Sequence, residues 1–418
     1  MRFLLLNQCF YPDVVSTAQH LTDLAKGLAS RGHEVTVLTS DRGYDNPDNR
    51  FARREVWNNI TILRIPSLTL GKKTKIRRAI NFASFLIVCS LRLLMMPRFD
   101  VVVALTSPPL ISFLASLFVA AKGGRFCFWV MDLNPDEAIA AGWLNEDSLT
   151  ARVLKRMLNY SLRRADRTIV LDRFMRDRVL EMGIAADHIS IVPPWSHDDA
   201  VQYSLEGRFA FRLTHGLEGK FVVMYSGNHS PCHPLDTLLN AAVALEKSEG
   251  IVFCFVGGGS EHVKVREFAE QHQVKNVLCL PYQPLDKLSA SLSAADLHVV
   301  VMGEKFAGIV HPCKIYNIMT LGIPTLYIGP GASHVTDIAA ASTSAKLFIT
   351  RHGQIDAVVQ QIMNSADLKA VPASTSRDYS QRFSKQVLLP ELIQLIEFNP
   401  TNNAPLQEAV AQTSVSAR

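Results

Sequence analysis

Residues Ala295–Gly331 read ADLHVVVMGEKFAGIVHPCKIYNIMTLGIPTLYIGPG, and the fold turns on this stretch. It holds an apolar run (Leu297–Met302), a loop, a helix-like segment (Pro312–Leu321) stopped by Gly322 and Pro324, and a second apolar run (Thr325–Ile328). Strand, loop, helix, strand is the unit of a parallel sheet. Ligands of such sheets sit beyond the strand C-termini, where a helix N-terminus offers unpaired N–H groups to an anion. His311, Lys314, Tyr316 and Asn317 fall on or beside that mouth.

Working outward, the alternation recurs on both sides. Phe221–Tyr225 and Ile251–Val256 read as strands, each ending in a glycine-bearing loop: Ser226-Gly227-Asn228-His229-Ser230 and Gly257-Gly258-Gly259-Ser260. Further upstream, Phe3–Asn7, the helix Thr17–Ser30 closed by Gly32, and Glu34–Leu38 form a βαβ unit. Ile60–Ile65, Val101–Leu105, Arg125–Val130, Thr168–Leu171 and Ile189–Val192 continue the strands. Polar residues 196–219 interrupt the pattern. The expected class is α/β, with two Rossmann-like doubly wound domains facing across a cleft: residues 1–197 and 198–382. A helix over 383–398, kinked or split at Pro390, is expected to pack back on the first domain, and the tail 399–418 is expected to be disordered.

The chain has 418 residues, 48% of them hydrophobic and 19% charged, enough for two full cores. A net charge of +5 argues against a nucleic-acid partner. The seven cysteines are scattered singly without a CxxC pair, which points to a reducing, cytoplasmic setting without a structural zinc site. The opening MRFLLLNQCF is too short in apolar residues to read as a signal peptide. Lys72, Lys73, Lys75, Arg77 and Arg78 precede the apolar stretch Ala79–Met96, which Asn81 and Arg92 make a poor span. The expectation is peripheral contact with the anionic inner face of the cell membrane.

Specific stretches resemble a known family. Tyr11-Pro12-Asp13, the following helix, and Arg31-Gly32-His33-Glu34-Val35-Thr36-Val37-Leu38-Thr39 resemble the opening of retaining GT-B glycosyltransferases, the family of sucrose- and mannosyl-transferring enzymes. Tyr225-Ser226-Gly227-Asn228, Val256-Gly257-Gly258-Gly259 and Pro312-Cys313-Lys314-Ile315-Tyr316 with Gly322-Ile323-Pro324 resemble the branch that builds bacterial O-antigen and colanic acid. The resemblance covers about Met1 to Phe398. It implies transfer of a sugar from a UDP- or GDP-linked donor to a lipid-linked or oligosaccharide acceptor, without a metal or other cofactor.

Asp132, which follows a buried strand on the cleft side and could instead cap the following helix, and Lys314 are the catalytic candidates. The donor side is expected to use Gly227, Asn228, His229, Ser230, His233, Gly257, Gly258, Gly259, Tyr316 and Asn317, with Phe306-Ala307-Gly308-Ile309 framing the sugar through backbone amides. The acceptor side is expected at Tyr11, Ser16, Thr17 and His20, although His20 also reads as a packed helix residue. The chain departs from the family in three places. Val14-Val15-Ser16-Thr17 replaces a glycine-bearing loop, Ile309 and Asn317 replace a glutamate pair, and His229 and His233 replace an arginine and a lysine. Lys314 is then the expected source of positive charge at the diphosphate. Two further readings stay open: a nucleotide-sugar 2-epimerase, and a non-catalytic partner that only binds a nucleotide. A dehydrogenase is disfavoured, since no GxGxxG with a following acid occurs after any strand.

Overall fold

A computed structural model describes residues 1–44, 48–68, 70, 75–197, 200–342, 346–367 and 380–398. Lys72, Lys73 and the tail 399–418 lie outside them. The first sheet contains β1 (Arg2–Leu6), β2 (Glu34–Ser40), β3 (Arg54–Trp57), β4 (Ile60–Ile65), β5 (Val101–Ala104), β6 (Arg125–Trp129), β7 (Arg167–Val170) and β8 (Ile189–Ile191). Their order is β3-β4-β2-β1-β5-β6-β7-β8, parallel except for β3 against β4. The second sheet contains β9 (Phe221–Asn228), β10 (Ile251–Gly258), β11 (Val277–Leu280), β12 (Leu297–Val301), β13 (Thr325–Ile328) and β14 (Leu347–Thr350). It is parallel in the order β11-β10-β9-β12-β13-β14.

Continuous apolar strands such as Phe3–Leu6, Val101–Ala104 and Val299–Val301 are buried, because helices cover both faces of each sheet. Each sheet reverses its winding once, between β1 and β5 and between β9 and β12. The crevices at these reversals are where a doubly wound sheet takes a ligand. One apolar cluster runs from the first sheet into Cys232, Met302, Phe306, Ile315 and Tyr316 of the second domain, so the two units meet through packed side chains.

Several elements differ from the sequence reading. β3 pairs with β4 through Asn58-Asn59, both at positive φ (50° and 60°), which suits a two-residue hairpin. Within the polar stretch, Leu205–His215 forms a helix, capped by the Ser204 hydroxyl and ended by Gly216 in the left-handed region. The strands β9 and β10 run on through their glycines, pairing Gly227 with Gly257 and Asn228 with Gly258. The C-terminal segment is one helix, Lys385–Glu397, with Pro390 inside it. That helix lies on the Ser16–Ser30 helix, where a Cβ on Gly27 would stand 2.6 Å from Ile393 Cδ1. Glu397 accepts from Arg31 Nη1 and pairs with His33 Nε2, each at 2.7 Å.

Candidate active site

The loops after β9 and β12 bring together Gly227, His229, His233 and Lys314. Gly227 sits at φ +123°, and a Cβ there would meet Lys314 Nζ at 3.3 Å. The triple glycine serves a different close approach. At Gly257 and Gly259 an added Cβ would fall 2.0 and 2.2 Å from the carbonyl oxygens of Gly227 and His229, and both residues have positive φ. At Gly258 it would meet the Tyr282 ring at 3.0 Å. These glycines therefore lock two strand ends together and leave Asn228 exposed at the tip.

His229 and His233 are held by carbonyls, Nδ1 of His229 donating to Gly227 O (2.9 Å) and Nδ1 of His233 to Val301 O (2.7 Å). Burial, and then the charge of Lys314, push both imidazoles down to about 3. They are neutral near pH 7 and bring no positive charge to the site. Lys314 opens the helix Lys314–Leu321. Its ammonium is buried, has no hydrogen-bond partner among the described residues, and stands 3.6 Å above the Tyr225 ring. Burial pulls its pKa down to about 7. A desolvated cation with only an aromatic face for company is poised for an anion, whose charge would restore its ordinary pKa.

The first domain supplies the opposite chemistry. Asp132 follows β6 and is half-buried. Burial, reinforced by the Glu137 charge, pushes its carboxyl up to about 8, and burial raises Glu137 as well. Two neighbouring carboxyls resist double ionisation, so each favours the other's protonated form. Asn134 Nδ2 donates to Glu137 at 3.1 Å, and the Cys232 thiol of the second domain donates to it at 3.7 Å. Glu137 is absent from the sequence-derived candidates. Its signal was the acid-rich run Asp132-Leu-Asn-Pro-Asp136-Glu137 directly after a buried strand.

Other candidates sit in the contact between the domains. Ile309 O accepts from Leu133 N, and Ala307 O from Arg178 Nε, both at 2.9 Å. Gly308, at φ +70°, lies where a Cβ would be 2.7 Å from the Phe174 carbonyl group. The amides of Phe306 and Ile309 are bonded within the loop, to Gly303 O and Phe306 O at 3.0 Å each. The segment expected to frame a sugar through its amides thus turns its carbonyls and its glycine to the first domain. Tyr316 pairs its hydroxyl with His311 Nε2 (2.7 Å), and Asn317 Oδ1 accepts from His197 N (2.8 Å). Both are engaged away from the glycine loops.

On the acceptor side, Tyr11 stacks on Trp57 at 3.9 Å. His20 is buried between the carbonyls of Ser16 and Trp195, at 2.8 and 3.2 Å, and burial lowers its pKa, in keeping with packing. Ser16 and Thr17 begin the Ser16–Ser30 helix, which has no acid in its first turn. The Ser16 hydroxyl reaches the Cys313 thiol at the N-cap of the Lys314 helix. Two helix N-termini, one from each domain, therefore meet at Ser16 and Cys313, one residue before Lys314, and that concentrates positive potential there.

Residues 17–195 match the model of the glycosyl transferase 4-like domain, and residues 209–374 that of glycosyl transferases group 1. A protein of Escherichia coli (strain K12) named as a colanic acid biosynthesis glycosyl transferase, WcaI, is 25% identical over 77% of this chain and 82% of its own length. The sucrose-phosphate synthase of Thermosynechococcus elongatus superposes with a TM-score of 0.73 at 13% identity, covering 94% of this chain and 98% of that one. Anabaena HepE, solved with UDP and glucose, gives 0.71 at 14% identity with the same coverage. With two matched domain models spanning most of its length and the doubly wound pair of sheets they require, the chain belongs to the GT-B glycosyltransferases.

Proposed function

We propose that this chain transfers a sugar from a UDP- or GDP-linked donor to a lipid-linked or oligosaccharide acceptor, with retention, in bacterial surface polysaccharide assembly. The observation that carries the reading is the buried Lys314 ammonium, without a hydrogen-bond partner among the described residues, on a helix whose N-cap meets a second helix N-terminus. The names of WcaI and the UDP complex of HepE favour the pathway and the donor class. In the proposed reaction the bond from the anomeric carbon to the diphosphate breaks while the acceptor oxygen bonds that carbon on the same face. The acceptor proton passes to the departing diphosphate. Lys314 and the helix N-termini stabilise the charge that builds on the leaving group. The Asp132–Glu137 pair orients the acceptor hydroxyl. No metal or other cofactor is required by this scheme.

The test is a thermal-shift panel of UDP, GDP, TDP, CMP and NAD without added metal, followed by turnover on the matching nucleotide-sugars. A rise in midpoint with one nucleoside diphosphate and sugar transfer from its conjugate are expected. Free sugar without an acceptor would shift the reading to an epimerase. A shift without turnover would favour a non-catalytic nucleotide-binding partner, which the engaged amide of Asn317 also favours.

We further propose that the first domain rests on an anionic membrane. The neighbouring helices Lys75–Leu94, Ile111–Lys122 and Leu149–Arg164 carry ten Lys or Arg and no Asp or Glu. Ile80, Ile87, Leu91 and Leu94 are exposed along one face of the first of them. Among the described residues no helix is long and apolar enough to cross a membrane.

A further inference from the structure

One short element of the first domain contacts the second beside the start of the donor helix. Asp172 caps the Arg173–Glu181 helix, its Oδ1 accepting from Met175 N at 2.8 Å. Its Oδ2 accepts from His311 Nδ1 of the second domain at 2.7 Å. Nε2 of His311 is 2.7 Å from the Tyr316 hydroxyl, and the His334 ring stacks on His311 at 3.7 Å. Asp172, His311 and His334 are buried. Their ligand-type atoms lie within 4.8 Å of one another, but the direct Asp172–His311 hydrogen bond already accounts for that closeness. Arg173 adds a forked pair to Asp337 at 2.6 and 2.9 Å, on the exposed rim where such pairs contribute little.

The chain Asp172–His311–Tyr316 ends on the first turn of the helix that begins with Lys314. The Cys313 thiol, at that helix's N-cap, donates to His311 O at 3.1 Å, so His311 holds the turn from two sides. Among the described residues Lys314 Nζ has no hydrogen bond to fix its direction, so its aim is set by the helix that carries it and by the Tyr225 ring it faces. Asp172 stays ionised: desolvation would raise its pKa, but the His311 hydrogen bond and the histidine charges outweigh that and bring it to about 2. A charged acceptor makes the strong form of this bond.

We propose that Asp172 is a positioning residue for glycosyl transfer, acting through His311 and Tyr316 to aim the Lys314 helix when the two domains are together. The inference rests on the transferase reading and on Lys314 as the donor contact. It makes the donor site incomplete without the first domain, since the anchor of its key helix lies there. Since Asp172 and Tyr316 both meet the His311 ring, one on each nitrogen, cutting the relay at either end should move the same kinetic parameter.

The experiment compares Asp172→Asn, Tyr316→Phe and the double variant in the full chain. Asn caps a helix as well as Asp, so the fold should stand, and Phe keeps the ring. Each single change is expected to lower kcat/KM for the donor about tenfold, in the same direction as Lys314→Ala, with acceptor KM changed less than about threefold. The double variant should be no slower than the slower single. Arg173→Ala, on the rim, should change kcat less than about twofold. Losses that multiply in the double variant, or singles that turn over like the wild type, overturn the proposal. Should the wild type itself show no transfer, the transferase reading fails separately. The relay is then read from the rate at which Lys314 is trinitrophenylated, followed by peptide mass spectrometry. Equal shifts in both singles, with no further shift in the double, support it, and an unchanged rate overturns it.

Discussion

The two domains repeat one winding order, yet their crevices carry opposite chemistry. In the second, a lone ammonium sits among neutral histidines, and burial has loosened its proton. In the first, two carboxyls crowd together, and burial has tightened theirs. The same physical cause, desolvation, acts on groups of opposite sign. The comparison teaches that the fold supplies two equivalent mouths and that a few buried ionisable groups assign them. The cationic mouth suits a diphosphate. The carboxyl mouth suits a neutral hydroxyl.

The sharpest way to break this comparison is Lys314→Ala. It should weaken nucleoside diphosphate binding by roughly 10- to 100-fold, the range of one charge-assisted contact, as read by calorimetry. The melting temperature should hold or rise, because an unpaired buried cation is removed. If affinity survives, the second crevice is not the anion site. Next in size, Asp132→Asn should lower kcat by about tenfold or more while leaving nucleotide affinity unchanged, and Glu137→Gln should do the same to a smaller degree. A loss of nucleotide affinity in either variant would erase the division of labour.

Surface charge offers a smaller effect. Ile87→Glu with Leu91→Glu should cut co-flotation with anionic vesicles several-fold and leave nucleotide binding intact. Equal flotation with neutral vesicles would show that the basic helices are not the cause.

The finest discrimination is the pH dependence of stability. Asp132 has its pKa raised from 3.8 to about 8, so the folded state holds the proton longer and stability falls as pH rises across that window. Lys314 has its pKa lowered from 10.5 to about 7, so the unfolded state holds the proton longer and stability rises with pH over that range. Below about pH 6.5 the buried His229 and His233 add a rise of the opposite sign, so Asp132 and Lys314 are read as differences between variant and wild-type melting curves from pH 5 to 10. Asp132→Asn should remove a fall that ends near pH 8, and Lys314→Ala a rise that begins near pH 7. Difference curves that stay flat in these variants would assign the slopes to other groups.

Much of this architecture was legible in the chain because parallel strands buried on both faces read as unbroken apolar runs. Thr325–Ile328 falls on the predicted residues, and Ser148 caps the Leu149–Arg164 helix as its type predicts. The hairpin at Asn58-Asn59 escaped because β3 is short and partly exposed. The Leu205–His215 helix escaped because polar residues dominate the stretch around it. Lys314 was legible as a helix-start cation, and Asp132 as a strand-end acid.

By itself, then, the sequence determined the two doubly wound sheets, the place of the crevices, and the residue types around Lys314 and Asp132. Those follow from local periodicity and turn chemistry, which act over a few residues. Only the tertiary structure decided that Glu137 joins Asp132, that the triple glycine clasps the neighbouring loop, and that Phe306–Ile309 and Asn317 bind the domains together. Only it placed Asp172 against His311, 139 positions away. Such pairings depend on how two separately folded surfaces meet, and desolvation of a charge is a property of that meeting.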